Sequence, residues 1–72
     1  MDYLVIFEKA DDGTYSVYVP DLPGCVSSGD TFEEAERMIR EAIQVHIESL
    51  RERGEPVPAP TSRAGIVHTD AA

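Results

Sequence analysis

Tryptophan is absent from this chain, cysteine occurs once, and five aromatic residues (Tyr3, Phe7, Tyr15, Tyr18 and Phe32) are all that 72 positions supply. A single cysteine, Cys25, cannot close an internal disulfide, so the multiply bridged scaffold of small secreted domains is excluded. Basic residues are scarce as well: six Lys or Arg stand against fourteen Asp or Glu, a formal charge of −8 and a pI near 4.4. Such a surface repels phosphate backbones and anionic membranes. The chain therefore reads as a partner for a basic protein rather than for nucleic acid or lipid. Long hydrophobic runs are missing too. The N-terminal stretch Tyr3-Leu4-Val5-Ile6-Phe7 has an acid on each side and no basic leader, which fits no signal peptide. Nothing approaches the roughly 20 apolar residues of a membrane span. The cytoplasm is the expected compartment. At this length one core and one domain are expected, with modest stability that a partner subunit would raise.

What the chain does have is patterned. From Tyr3 to Glu8 it is rich in strand formers, with Leu4 and Ile6 on one face and Tyr3, Val5 and Phe7 on the other. Thr14–Val19 alternates more strictly, placing Tyr15, Val17 and Val19 on a single face. Asp11-Asp12-Gly13 between them has the chemistry of a tight turn, so the two segments predict an antiparallel hairpin. Pro20 lacks the donor a ladder requires, and Pro23-Gly24 suits the centre of a type II turn. A short third strand is expected at Cys25-Val26-Ser27-Ser28, closed by Gly29. Asp30-Thr31-Phe32-Glu33-Glu34 then carries a helix start: Thr31 and Glu34, or Asp30 and Glu33, stand at capping-box spacing. An apolar stripe follows at Phe32, Ala35, Ile39, Ala42, Ile43, His46, Ile47 and Leu50. The opposite side offers i,i+4 pairs at Glu33/Arg37, Glu36/Arg40 and Arg37/Glu41. Gly54 and Pro56 end the helix after roughly 22 residues, about 33 Å.

Beyond it Pro56, Pro58 and Pro60 predict a stiff extended connector, and Ile66-Val67 predicts a short fourth strand near Gly65–Thr69. The expected organisation is a core over residues 1–55 with 56–72 as connector and last strand of the same domain. The fold class is α+β: a three-stranded antiparallel sheet plus a short C-terminal strand, packed on one long helix.

The reactive residues do not assemble into chemistry. Cys25 has only His46 and His68 as conceivable bases and no orienting third group. Two separate histidines and one cysteine do not make zinc spacing. Asp11, Asp12, Asp21 and Asp30 each have a local turn or capping role, which argues against a Mg²⁺ cluster. No cofactor, metal site or enzymatic activity is expected. The loop Asp21-Leu22-Pro23-Gly24 is stiffer and more apolar than a bare connection requires. Either Leu22 folds onto the core or it meets a partner.

The run from Tyr15 through Pro20-Asp21-Leu22-Pro23-Gly24-Cys25 and Gly29-Asp30-Thr31 to Ala35 resembles the signature of the HicB family of antitoxins. The similarity continues through Ile39–Ile43 and Gly54–Pro60, covering roughly residues 3–60. This resemblance implies a β-β-β-α-β domain of partial ribonuclease H-like fold; the nuclease activity is not expected with it, since the first strand has no carboxylate at its centre. It implies a partner as well: a HicA-like toxin, a small basic mRNA-cleaving ribonuclease that such proteins bind and obstruct. It also implies self-association, as a homodimer or tetramer. Many family members carry a further DNA-binding segment that has no counterpart before Ala72, so direct DNA binding by these residues is not expected. The candidate contacts are Asp21, Leu22, Pro23 and Gly24, with Asp11, Asp12 and Asp30 as part of the acidic field. The competing reading is a stand-alone binding or structural domain with no toxin partner.

Overall fold

The computed structural model describes residues 1–71 as three strands followed by a helix. Strands β1 (Ile6–Lys9), β2 (Tyr15–Tyr18) and β3 (Val26–Gly29) form an antiparallel sheet in the order β1-β2-β3. Helix α1 (Phe32–Glu52) packs on one face of that sheet, chiefly against β3 and β2. The α+β class, the β-β-β-α order and the hairpin are as the sequence predicts.

The first strand pairs over a shorter stretch than its apolar run suggests, and the register explains why. Ile6 lies opposite Tyr18, so Leu4 would lie opposite Pro20, which has no amide to donate. Alternation holds throughout. Phe7, Val17 and Ser27 form a row on the helix side, while Ile6, Tyr18 and Val26 form the corresponding row on the other face. The core comprises Val17, Val19, Leu22, Cys25, Ala35 and Ile39, with Tyr3, Val5, Phe7, Tyr15, Ala42 and Ile43 packed around it. Phe32 is partly exposed but closes one end of this core, its ring 4.4 Å from that of Phe7 and edge-on to Tyr15 at 5.9 Å.

Both ends of α1 are capped. The Thr31 hydroxyl accepts from the Glu34 amide at 3.1 Å, and Glu34 Oε1 reaches back to the amide of Asp30 at 3.1 Å, one residue beyond the usual capping-box partner. At the far end Gly54 adopts φ +69°. The Gly54 amide donates to the Arg51 carbonyl and that of Glu55 to the Leu50 carbonyl, which is a Schellman motif.

Two expectations fail. Of the three i,i+4 ion pairs, only Glu36/Arg40 closes among the described residues, at 3.6 Å between exposed groups; solvent screening leaves such pairs little to hold them. Residues 65–69 do not form a fourth strand of this sheet. They belong to no strand or helix and have no ladder partner, and Ile66 and Val67 are exposed. Strand-favouring residues alone do not make a strand; an edge must be within reach.

Gly29 sets how closely β3 and α1 approach. A Cβ at this position would stand 2.5 Å from the Ala35 amide nitrogen and 2.9 Å from both Ala35 Cα and Glu34 C. All three are backbone atoms of the first helical turn, so no side chain can swing away. Gly29→Ala is expected to lower unfolding stability by about 3 kcal/mol, at the upper end of the overpacking range, read as a lower urea midpoint with unchanged m-value.

Candidate functional site

The loop joining β2 to β3 is built from two consecutive tight turns. The Leu22 amide donates to the Val19 carbonyl at 3.1 Å, and the Cys25 amide donates to the Leu22 carbonyl at 3.0 Å. A third bond, Val19 amide to Cys25 carbonyl at 3.1 Å, closes the loop at its base. Pro20 occupies the second position of the first turn; Pro23 and Gly24 are central in the second, where Gly24 takes φ +84° as a type II turn requires. Leu22 belongs to both turns. Its side chain is driven inward and is completely buried, which decides between its two readings: Leu22 is core and, contrary to the expectation from the sequence, is not available as a partner contact. Pro23 and Gly24 remain exposed at the tip.

Asp21 is turned the other way. Its carboxylate accepts from the Ser62 amide (2.9 Å) and hydroxyl (2.8 Å), and from the Thr61 amide (2.9 Å) and hydroxyl (3.1 Å). These donors, those of Ser62 foremost, stabilise the charged form and hold the pKa down at about 2. With the Tyr3 hydroxyl donating to the Pro58 carbonyl, they clasp the proline-rich connector against the sheet end. Sequence reading missed this clasp. Asp21 and Ser62 lie forty-one positions apart, and no local pattern links an acid in one loop to a Thr-Ser pair in another.

The remaining acids lie at the opposite end of the sheet. In the β1–β2 turn the Gly13 amide donates to the Ala10 carbonyl at 3.0 Å, the Ala10 amide to the Thr14 carbonyl at 2.8 Å, and Gly13 has φ +90°. This is a three-residue hairpin loop ending in a left-handed glycine. Asp12 Oδ1 accepts from the Thr14 hydroxyl (2.7 Å) and amide (3.0 Å), which lowers its pKa and fixes its direction. Asp11 is exposed. Lys9, Tyr15 and Gly29 make up the last register row, so the hairpin turn, Asp30 and the first turn of α1 with Glu33 and Glu34 share this end. Lys9 is held over the Tyr15 ring, 6.0 Å from its centroid. The seven candidate residues thus separate: Asp11, Asp12 and Asp30 form an acidic end, while Asp21, Leu22, Pro23 and Gly24 form the loop end.

The arrangement offers little to catalysis. Cys25 is buried, and burial raises its thiol pKa, the opposite of what a nucleophile requires. Among the described residues no three His, Cys, Asp or Glu side chains are placed to hold a metal ion, and no helix is long and apolar enough to cross a membrane.

Residues 3–71 match the family described as the HicB_like antitoxin of bacterial toxin-antitoxin systems. The chain belongs to the HicB-like antitoxin family. A UPF0150 protein of Thermoplasma acidophilum is 46% identical over 68 residues, covering 94% of this chain and 99% of that protein. Antitoxin HicB 1 of Photorhabdus laumondii is 38% identical over 60 residues; the match covers 83% of this chain but 39% of the Photorhabdus protein. Among solved structures, the N-terminal domain of the Burkholderia pseudomallei antitoxin HicB superposes with a TM-score of 0.73 at 42% identity, covering 82% of this chain and 69% of that one. A chain of the HicA3 and HicB3 toxin-antitoxin complex superposes with a TM-score of 0.71 at 36% identity, covering 85% and 70% respectively.

Two outcomes follow for the HicB-like loop. Leu22→Ala is expected to cost about 2–5 kcal/mol, measured by urea denaturation, because it empties a fully enclosed site. The Asp21 clasp has a pH signature. A folded-state pKa below the ordinary 3.8 means the clasp stabilises at higher pH and is lost as pH falls from near 4 through about 2. The amide resonances of Thr61 and Ser62 are expected to titrate together with an apparent pKa near 2, and Asp21→Asn to abolish that titration. A midpoint at the ordinary carboxylate value would show the clasp absent in solution.

Proposed function

We propose that this HicB-like chain is a non-catalytic cytoplasmic antitoxin that binds a small basic HicA-like mRNA-cleaving ribonuclease and covers its active site. The observation that carries this reading is the backbone likeness, at 36% identity over most of the chain, to a component of a complex between HicA3 and HicB3. The electrostatics agree with it. A net charge of −8 attracts a basic enzyme from a distance, and the exposed acidic end gives that attraction a direction. The proposed contacts are Asp11, Asp12 and Asp30, with Pro23 and Gly24 at the opposite loop tip; Asp21 acts indirectly by holding the connector. The chain is further proposed to self-associate as a dimer or tetramer. Its sheet supports this, because α1 covers only one face and leaves Tyr18 and Val26 exposed on the other, beside half-buried Ile6.

Co-expression with a neighbouring basic gene product tests the reading. The expected result is growth rescue from the toxin and co-purification of the pair; no complex with any neighbouring product would overturn it. With the complex in hand, reversing Asp11, Asp12 and Asp30 to Lys together is expected to slow association about tenfold at low salt, with a much smaller effect on dissociation. Stopped-flow mixing across a salt series reads both.

A further inference from the structure

The two edges of the sheet are not equivalent. β1 carries Glu8 and Lys9, charges that discourage another strand from pairing there. β3, Val26-Ser27-Ser28-Gly29, has neither a charge nor a proline, and only one of its sides is paired, with β2. Beside that open edge runs a groove of about 470 Å³ between β3 and the flank of α1, with Val26, Met38, Ala42, Val45 and His46 along it and Glu41 at its rim. The apolar side chains on both sides of the edge are uncovered: Val45 is 66% and Met38 38% exposed on the helix flank, and Val26 64% on the outer face of the sheet. An uncharged edge beside an apolar trough is the form of a site that takes an added strand.

The same chain holds a strand-favouring segment, residues 65–69, that pairs with no edge. Past Ser62, the hydrogen bonds and ion pairs among the described residues are local to the tail, Ala71 with Thr69 and His68 with Asp70. Ile66 is 101% exposed and Val67 85%, a solvation cost that nothing within the chain relieves. The Asp21 clasp on Thr61 and Ser62 fixes where this segment leaves the domain. From Arg63 to Thr69 there is no carboxylate, and Arg63 and His68 supply positive or protonatable groups in an otherwise acidic molecule.

We propose that residues 65–69 of one copy add as a fourth strand to the β3 edge of a second copy. Alternation then accounts for both apolar features at once. Ile66 and His68 lie on one face of the added strand, over the groove with Met38, Val45 and Glu41; Val67 lies on the other face, beside Val26. The exchange is reciprocal between two copies, so each edge and each tail is used once and the assembly closes as a dimer. The fourth strand missing from the isolated chain is supplied in trans. This deepens the self-association part of the functional reading and is separable from toxin binding.

Light scattering on the purified chain, on a chain ending at Ser62, and on Val45→Asp tests it. The truncation leaves the clasp and the core intact, and Val45 is an exposed helix position, so both variants are expected to fold, as circular dichroism would check. The full chain is expected to have the mass of a dimer at micromolar concentration, and each variant the mass of its own monomer. A truncated chain that remains dimeric would overturn the tail exchange while leaving self-association standing. A dimeric Val45→Asp would show that the tail docks away from the groove and would overturn the site. A monomeric full chain would overturn the exchange and the oligomer together. Toxin co-purification with the truncated chain, read separately, reports on the antitoxin role whatever the mass.

Discussion

The contact on which the rest of the architecture depends is the backbone approach of α1 to the end of β3 at Gly29. With Ala35 nitrogen only 2.5 Å from where a Cβ would stand, glycine is a steric condition of the fold rather than a convenience of the turn. That contact fixes the helix start against the last row of the sheet. From there, α1 lies over Val17 and Val19 with Ala35 and Ile39 fully buried, small beside large, which lets the helix sit low. The Thr31 and Glu34 cap then follows from geometry: the first turn is held in place, its donors must be satisfied, and acidic groups gather at the positive end of the helix dipole.

A single helix cannot cover both faces of a three-stranded sheet, and the molecule handles the surplus unevenly. Leu22 is brought inside by two turns in succession, so a loop contributes one of the most buried side chains of the core. The connector after α1 is also drawn in, by one carboxylate with four donors. These arrangements leave Tyr18 and Val26 on the outer face, the β3 edge and the tail exposed in the isolated chain. Apolar groups left open on a sheet face, an edge with its flanking groove and a tail segment are what an associating protein offers.

Local features were legible in the sequence, and contacts between distant segments were not. Gly13, Gly24 and Gly54 each take the positive φ that their turn chemistry implies, and alternation assigned Tyr15, Val17 and Val19 to the buried face correctly. The start of β1 is not legible in its own residues because the limit lies beyond the end of β2: Pro20, opposite Leu4, has no amide to continue the ladder. Surface ion pairs were overcounted, since i,i+4 spacing permits a contact that exposure does not reward. The candidate site was half legible. Acids could be counted, but that Asp21 faces Thr61 and Ser62, that Leu22 faces inward, and that Asp11, Asp12 and Asp30 share one end depends on register and on loop closure over forty residues.

The distribution of charge bears on how such a chain could serve two partners. The acidic end is formed by the β1–β2 turn, Asp30 and the first turn of α1; the clasp and the departing tail lie beyond the opposite end of the sheet. Long-range attraction falls off over about 8–10 Å at physiological salt, so a basic protein is steered by the end it approaches rather than by net charge alone. The β3 edge and its groove are mostly apolar, and an apolar trough favours a partner through buried area rather than through field. Charge and apolar area are thus offered on different surfaces. A toxin drawn to the acidic end need not displace a second copy from the groove, whereas one resting on Gly24, which lines the groove, would compete with it; a dimer built on the tails would present two acidic ends instead of consuming them.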